Sequence, residues 1–306
     1  MNAERNPAGT LRRPAMLAAL ILALPCALPA LEWPVAEPEI RRNFGQEENG
    51  NLERGLILSG GNTVRAAGDG SVLAVLSCNE NMNGFPSTLG NAVLLAHGDG
   101  IVSVYGNLAD TEMAAGKEQM ETYAVIAQTG GSAWGGLSGG GEDRGICIFQ
   151  IADQNQKTLL NPLLLLPPQE DNRAPVIQSV TLESASGQTL NLSTSRFLRS
   201  GVYRVYAAVT DTRARNSPAL APFRVSVLVN GSEQSAVAFE TLEKKASVLA
   251  PAVFPDYFDG STPLYNRSGL LYAGDVSLTR GRTEITVAAR DFTGNERTSA
   301  FLLQIE

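Results

Sequence analysis

The side chains in this sequence that could carry out chemistry are few and scattered. The chain has one histidine, His97, and three cysteines, Cys26, Cys78 and Cys147. A catalytic zinc ion needs three protein ligands from nitrogen, oxygen or thiolate groups and an open position for water. A serine nucleophile needs a base, most often histidine, to remove its proton. Any catalytic centre in this chain would therefore depend heavily on carboxylates or thiolates.

Two further patterns offer reactive groups. Residues 136–140 read Gly-Leu-Ser-Gly-Gly, which matches a serine nucleophile placed between a strand and a helix. The glycine-rich sequence around it favours a loop instead. Carboxylates that could bind calcium lack the spacing of a calcium-binding loop, so solvated surface groups are the favoured interpretation. These carboxylates are Glu47, Glu48, Glu53, Glu142 and Asp143.

The elements that position these residues are predicted to be β-strands. Apolar runs of strand length recur between glycine, asparagine and aspartate, and helical periodicity is nearly absent, which is typical of an all-β chain. In the first half such runs cover 71–76, 91–96 and 101–105. A polar segment with paired prolines, 167–172, predicts an extended link to a second half.

The second half alternates apolar and polar residues more regularly, which predicts strands with one buried face. The alternating positions are Tyr203, Val205, Ala207 and Val209, then Phe223, Val225, Val227 and Val229, then Ile285, Val287 and Ala289. A turn at 291–295 precedes a last strand at 299–305. About seven short strands in such a length are typical of a two-sheet sandwich. This half resembles the immunoglobulin-like domains appended to bacterial exported proteins.

The first 30 residues are predicted to be an export signal. Three arginines precede an apolar run at 15–28, and cleavage is expected at Ala30. The run is too short and too interrupted by proline to span a bilayer. Cys26 lies where a lipoprotein cysteine would, but the preceding Pro25 disfavours lipid anchoring. We therefore expect an exported protein of the periplasm or cell envelope.

The overall charge limits the partners. The chain has 24 basic and 31 acidic residues and a net charge of −7, and removal of the leader makes it more negative. Nucleic acid or an anionic lipid surface would need a basic face on the protein. Neither is expected as a partner, and no later segment is long and apolar enough to span a bilayer.

A longer series of motifs runs through residues 33–166. In order they are Trp33-Pro34-Val35, Phe44-Gly45, 54–57 (Arg-Gly-Leu-Ile), 62–72 (Asn-Thr-Val-Arg-Ala-Ala-Gly-Asp-Gly-Ser-Val), 90–98 (Gly-Asn-Ala-Val-Leu-Leu-Ala-His-Gly), 104–108 (Val-Tyr-Gly-Asn-Leu), Gly130-Gly131, 146–151 (Ile-Cys-Ile-Phe-Gln-Ile) and 160–162 (Leu-Asn-Pro). Together they resemble the lysostaphin and LytM-type zinc endopeptidases, which cut peptide cross-bridges in peptidoglycan. The resemblance implies an antiparallel β-sheet domain, placed here at 31–168, followed by the sandwich domain at 173–306.

The residues that hold zinc in that family are replaced in this chain. The first zinc motif, a histidine followed four residues later by aspartate, falls on Glu53 and Ile57. The last motif, His-x-His on a strand, falls on Ile146 and Ile148, of which the second is the ligand position. A further catalytic histidine is replaced by Asn107. The resemblance thus implies a degenerate domain without a zinc site or cofactor, in which buried isoleucines fill the former metal position.

Other residues have both a structural and a functional interpretation. His97 matches a family position that is not a ligand, and we interpret it as structural. Cys78 and Cys147 either form a disulfide in an oxidising compartment or remain free thiols. Aromatic residues are more often part of a core, but three of them could line a groove for sugar or peptide: Trp33, Tyr105 and Trp134.

The leading hypothesis is a catalytically inactive, peptidase-like protein that binds peptidoglycan or regulates a cell-wall hydrolase. The resemblance implies this role because the family includes metal-free members that activate wall amidases. An alternative is an active endopeptidase that recruits Glu53 with Asp99 or Cys147 as ligands. A third hypothesis is a structural envelope protein that acts through its sandwich domain.

Overall fold

The computed structural model describes residues 30–78, 87–133, 145–215, 217–245, 248–253 and 263–306. The chain in these ranges is almost entirely β-strand, so the predicted all-β class is confirmed. No helix in the described ranges is long and apolar enough to cross a membrane. Several sequence predictions lie outside the described residues: the leader up to residue 29 with Cys26, Trp134, the serine pattern at 136–140, Glu142 and Asp143.

The first half contains short strands and two 3₁₀ turns, at Gly98–Gly100 and Pro162–Leu164. The strands are β1 (Glu39–Arg42), β2 (Glu47–Glu48), β3 (Asn51–Leu52), β4 (Leu56–Ser59), β5 (Thr63–Arg65), β6 (Gly70–Leu76), β7 (Asn91–Ala96), β8 (Ile101–Leu108), β9 (Gln119–Met120), β10 (Val125–Gln128), β11 (Ile146–Asp153) and β12 (Thr158–Leu160).

The second half contains longer strands. They are β13 (Val176–Ser184), β14 (Thr189–Asn191), β15 (Phe197–Leu198), β16 (Gly201–Thr210), β17 (Arg224–Val229), β18 (Ser232–Lys245), β19 (Val248–Val253), β20 (Leu271–Leu278), β21 (Gly281–Arg290) and β22 (Glu296–Ile305).

The core of the first half lies on one face of an antiparallel sheet in which β4, β11, β8, β7 and β6 are successive neighbours. Every second residue of a strand points to the same face. Leu56 and Leu58 of β4 therefore share one buried cluster with Phe149 of β11 and Tyr105 of β8. This alternation leaves the residues between them on the opposite face of the sheet.

The second half is a sandwich of two sheets. One sheet has the order β14-β13-β16-β20, and the other contains β15, β22, β21, β17 and β18. The alternating positions that predicted the strands meet in the core between the sheets: Val227 of β17 lies opposite Val287 of β21, and Val225 lies opposite Ala289. All four side chains are buried, as the alternation predicts.

The two halves are joined by a shared sheet. Strand β12 of the first half pairs with β18 of the second, with Leu159 opposite Leu242 and Leu160 opposite Thr241. The Asn161 side-chain amide donates a hydrogen bond to the carbonyl oxygen of Phe239 at 2.8 Å. The sequence did not predict this pairing, which extends one sheet from the first half into the sandwich.

A second contact between the halves forms around Phe44 and Gly45. Phe44 is buried in the core of the sandwich rather than in that of the first half. A Cβ at Gly45 would lie 2.1 Å from the ring of Phe239, and the Tyr265 hydroxyl donates to the Gly45 carbonyl oxygen at 3.2 Å. Gly45 also has a φ of +77°, so glycine is required here both by the backbone and by the packing.

The Gly45→Ala variant is expected to destabilise the protein more than Gly50→Ala. Both positions have positive φ, which costs about 1–2 kcal/mol for alanine. Gly50 has nothing within 4 Å of the added Cβ, whereas Gly45 meets Phe239. Overpacking adds roughly 1–3 kcal/mol at Gly45 alone. Urea denaturation of the two variants measures the difference, and equal losses would show that the junction does not depend on this contact.

Candidate functional site

The positions that the resemblance assigns to zinc ligands meet across two neighbouring strands. Ile57 of β4 lies directly opposite Ile148 of β11, and Ile148 lies opposite Gly106 of β8 on its other side. Directly opposed residues of an antiparallel pair have Cβ atoms about 5 Å apart. The strand register therefore brings the two positions together, on the sheet face opposite the core of the first half.

Both isoleucines are buried. Ile57 is 2% exposed and Ile148 is 4% exposed. Gly106 allows this packing, since a Cβ there would lie 3.3 Å from the Cβ of Ile148 and 3.0 Å from the carbonyl oxygen of Leu89. An isoleucine side chain has no atom that can coordinate a metal. The pair provides apolar packing at this position and cannot bind zinc.

Glu53 has the only side chain at the three expected ligand positions that could coordinate a metal. Its carboxylate accepts a hydrogen bond from the Arg54 backbone amide at 3.2 Å. Burial raises the pKa of Glu53, and the Arg54 amide and the nearby charges of Arg42 and Arg54 partly oppose that effect. Among the described residues Glu53 belongs to no group of three potential metal ligands.

Asn107, at the position of a catalytic histidine, holds loops together. It is buried and has a φ of +60°, a conformation that asparagine tolerates better than most residues. Its amide nitrogen donates to the carbonyl oxygens of Gly130 and Ile146, both at 3.0 Å, and its side-chain oxygen accepts from the Ala133 amide at 2.9 Å. These three bonds tie the end of β8 to the 130–133 segment and to the start of β11. The amide is thus engaged in structure and has no role as a base.

Asn91 and Ser132 extend this hydrogen-bond network, and sequence reasoning missed both. The Asn91 side chain donates to the carbonyl oxygens of Leu108 and Ala109 at 3.2 and 3.0 Å. The Ser132 hydroxyl donates to the carbonyl oxygen of Leu108 at 2.7 Å and accepts from the backbone amide of Asn91 at 2.9 Å. The available signal was the Gly90-Asn91 pair at the start of a strand, which reads equally well as a turn. These hydrogen bonds connect the start of β7 with the end of β8 and with the 130–133 segment.

His97 is bound within the protein. Its Nδ1 lies 2.7 Å from the carbonyl oxygen of Asp69, and its Nε2 lies 2.8 Å from the hydroxyl of Ser103. A carbonyl oxygen only accepts, so Nδ1 carries a proton. Both ring nitrogens have protein partners, which agrees with the structural interpretation of this residue.

The proposed groove-lining role of Tyr105 is wrong. The side chain is fully buried, its ring packs 5.4 Å from that of Phe149, and its hydroxyl accepts from the Ala67 amide at 2.8 Å. Tyr105 points to the core face because it lies directly opposite Phe149 of β11, and directly opposed residues of paired strands point to the same face of the sheet. Trp33 is partly buried against the same core, and its indole nitrogen donates to the carbonyl oxygen of Pro167 at 3.0 Å.

The two cysteines do not form the disulfide that the sequence allowed. Cys147 is buried in the core of the first half, whereas Cys78 is exposed at the end of β6, and both are free thiols. Burial raises the pKa of Cys147 to about 12, which keeps it protonated and unreactive near neutral pH. Cys147 points to the face opposite Ile148, and it does not belong with Glu53 to any group of three potential ligands among the described residues.

Comparisons with known proteins give one family relationship and several partial structural likenesses. A protein-family model matches residues 174–306. An uncharacterized protein of Treponema pallidum (strain Nichols) is 37% identical over 116 residues, which cover 34% of this chain and 79% of that protein.

Several solved structures are similar to less than half of this chain. One chain in the structure of the SpoIIQ–SpoIIIAH pore forming complex is similar over 46% of this chain and 92% of that chain, at 19% identity and a TM-score of 0.35. The catalytic domain of the prophage-encoded M23 protein EnpA from Enterococcus faecalis is similar over 44% and 95%, at 15% identity and a TM-score of 0.35. A zinc containing peptidase from Vibrio cholerae is similar over 40% and 36%, at 18% identity and a TM-score of 0.31.

Asn107→Ala is expected to destabilise the protein more than Asn49→Ala. Both residues have positive φ, but Asn49 is exposed, whereas Asn107 is buried with three side-chain hydrogen bonds. Loss of the amide leaves buried backbone groups unpaired, at a cost of about 1–3 kcal/mol. Thermal unfolding of both variants measures the difference. A smaller effect at residue 107 than at residue 49 would contradict the role of Asn107 in holding the loops.

Proposed function

The chain belongs to the same family as the uncharacterized Treponema pallidum protein, and we propose that it is a non-catalytic, peptidase-like protein of the cell envelope that binds peptidoglycan or a peptidoglycan hydrolase. The observation that carries the proposal is the buried cross-strand pair of Ile57 and Ile148. It occupies the positions that the motif resemblance assigns to two zinc ligands.

The chemistry of the residues at these positions supports the proposed absence of zinc-dependent catalysis. A zinc peptidase activates water on a metal held by three ligands and uses further groups to transfer protons. Here two ligand positions are aliphatic, Asn107 is held by three hydrogen bonds, and His97 is bound by Asp69 and Ser103. The described residues bring Glu53 together with neither Asp99 nor Cys147 in a group of three potential ligands.

A binding role is supported by the sheet face that carries the isoleucine pair. Gly106 of β8 lies opposite Ile148. Val104 lies on the same face of β8 as Gly106, and it is opposite Leu94 of β7. Leu94 lies opposite Ala74 of β6, and Leu76 follows on the same face. The isoleucine pair and Val104 are buried, whereas Leu76 is 39% exposed, so this apolar row reaches solvent as a surface at its β6 end. Such a surface suits the peptide part of a wall fragment or an apolar segment of an enzyme.

Leu76→Asp is expected to weaken retention of the protein on isolated peptidoglycan or on a bound wall hydrolase by about tenfold, equivalent to roughly 1.4 kcal/mol. The control is Leu302→Asp, since Leu302 is 44% exposed on β22 of the sandwich. Co-sedimentation and pull-down of the full chain measure retention; the halves share a sheet and are not separated. Loss of binding in the Leu302 variant alone would favour the third hypothesis, that the sandwich makes the contacts.

Placing metal-binding residues at the isoleucine pair tests whether the pair occupies the positions of a zinc site. Ile57→Asp alone is expected to lower the free energy of unfolding by about 3 kcal/mol or more, because it buries a carboxylate without a partner. With Glu53→His and Ile148→His added, zinc is expected to raise the melting temperature of the triple variant and leave the unaltered protein unchanged. If Ile57→Asp unfolds at the same temperature as the unaltered protein, the pair is not part of the core.

A further inference from the structure

Three aspartates meet where the link between the halves reaches the end of the sandwich. Asp171 lies in the link before β13, Asp211 follows β16, and Asp291 follows β21. One carboxylate oxygen from each lies within 4.8 Å of those from the other two. Among the described residues this is the only such group of three acidic, histidine or cysteine side chains. None of the three is among the carboxylates that the sequence suggested for calcium.

One carboxylate oxygen of Asp211 is buried without a hydrogen-bond partner among the described residues. The residue is 4% exposed, and the oxygen without a partner is Oδ1. Its backbone is fixed by two hydrogen bonds with Leu220, so the side chain is held at the cluster. An isolated buried carboxylate is strongly unfavourable unless a cation or a proton compensates it. This oxygen is therefore expected to hold a proton or to bind a cation.

Protein charges around the cluster do not balance it. Arg213 is the basic residue that contacts it, with Nε 3.4 Å from Asp171 Oδ2, and its guanidinium also contacts Gln169. One guanidinium faces three carboxylates. Burial, followed by the charges of Asp171 and Asp291, raises the pKa of Asp211 to about 7, while the Thr212 amide and Arg213 act in the opposite direction.

The carboxylate of Asp291 and the backbone of Asp171 are held in position by hydrogen bonds. Asp291 Oδ1 accepts hydrogen bonds from the amides of Gly294 and Asn295 and from the Thr293 hydroxyl, at 2.7 to 3.0 Å. The Asn295 side chain donates to Asp291 Oδ2 at 2.7 Å and to the carbonyl oxygen of Asp171 at 3.0 Å. The link and the 291–295 turn are thus fixed to each other, and the cluster is pre-organised.

An open cleft reaches one member of the cluster, Asp171. The cleft has a volume of about 540 Å³ and is lined in part by Glu170, Asp171, Phe292 and Thr293. A metal site requires an entry path, and the cleft offers a small ion an approach on the Asp171 side of the cluster. Glu170 adds a fourth acidic side chain to the wall of this path.

We propose that Asp171, Asp211 and Asp291 form a calcium-binding site that fixes the link to the end of the sandwich. The ligands are all oxygen atoms, which excludes a preference for zinc or copper, since those ions favour nitrogen and sulfur. Calcium takes six to eight oxygens in flexible geometry, whereas magnesium usually keeps several waters and is rarely enclosed by protein groups alone. Three carboxylates and water suit calcium best.

The ion has a mechanical role in this account. Asp171 belongs to the segment that leaves the first half, whereas Asp211 and Asp291 end two strands in opposite sheets of the sandwich. A calcium ion bound to all three crosslinks the link to both sheets. It adds to the β12–β18 pairing and to the contact around Phe44 and Gly45, and it helps to set the orientation of the two halves by a further, ion-dependent contact.

Calcium titration of the full chain after chelator treatment tests the proposal. By calorimetry we expect one calcium ion per chain, and in thermal unfolding a rise of about 3 °C or more at millimolar calcium, with a smaller rise for magnesium. Asp211→Asn is expected to weaken calcium binding at least tenfold. This variant is preferred to Asp291→Asn, because Asp291 organises its own turn and its loss could unfold the region.

The matched control is Asp153→Asn. Asp153 is also buried, but its Oδ1 accepts from the amides of Asn155 and Gln156 in the first half. This variant is expected to lose stability and to keep the calcium response. No calcium binding at millimolar concentration, or equal binding by Asp211→Asn, would overturn the proposal.

Measuring stability at a series of pH values distinguishes a calcium ion at this site from a proton bound to Asp211. Because the folded-state pKa of Asp211 lies above its usual value of 3.8, its contribution to stability falls as pH rises from about 4 to about 7. Without calcium, the unaltered protein is expected to show this fall relative to Asp211→Asn, and calcium is expected to remove it. If the fall is present and calcium has no effect on it, Asp211 holds a proton and the site is not a calcium site.

Discussion

The antiparallel pairing of β4 with β11 is the constraint on which the functional account depends. Its register places residue 57 opposite residue 148, so the chemistry of this position is decided by two side chains. Two metal-binding residues at such a position could both coordinate one metal ion, whereas two isoleucines pack together. The surrounding polar residues follow from that choice, since Asn107 then serves to hold loops rather than to transfer protons.

The same sheet connects this position to the second half of the chain. From β11 the order continues through β12 to β18, so the sandwich is an extension of the peptidase-like sheet rather than an independent appendage. Phe44 strengthens this connection by packing in the core of the sandwich. The carboxylates at residues 171, 211 and 291 lie at another point of the same junction. A partner that binds the first half would therefore contact a body whose orientation is set by the second.

The sequence predicted what depends on local pattern and missed what depends on distant contacts. Alternating valines predicted the strands of the sandwich, because strand periodicity is visible within a few residues. The groove role of Tyr105 failed because burial is decided by which sheet face meets the core. The β12–β18 pairing joins residues about 80 positions apart, and such register has no local signal. The aspartate cluster was missed for the same reason, since its members come from three separate segments.

The central claim is that this peptidase-like chain has no zinc centre. The most direct test is elemental mass spectrometry of the purified protein after incubation with zinc, combined with an assay of peptide release from isolated peptidoglycan. The account predicts substoichiometric zinc and no release above a protein-free control, whether or not zinc is present. One zinc ion per chain together with chelator-sensitive release of peptides would contradict it.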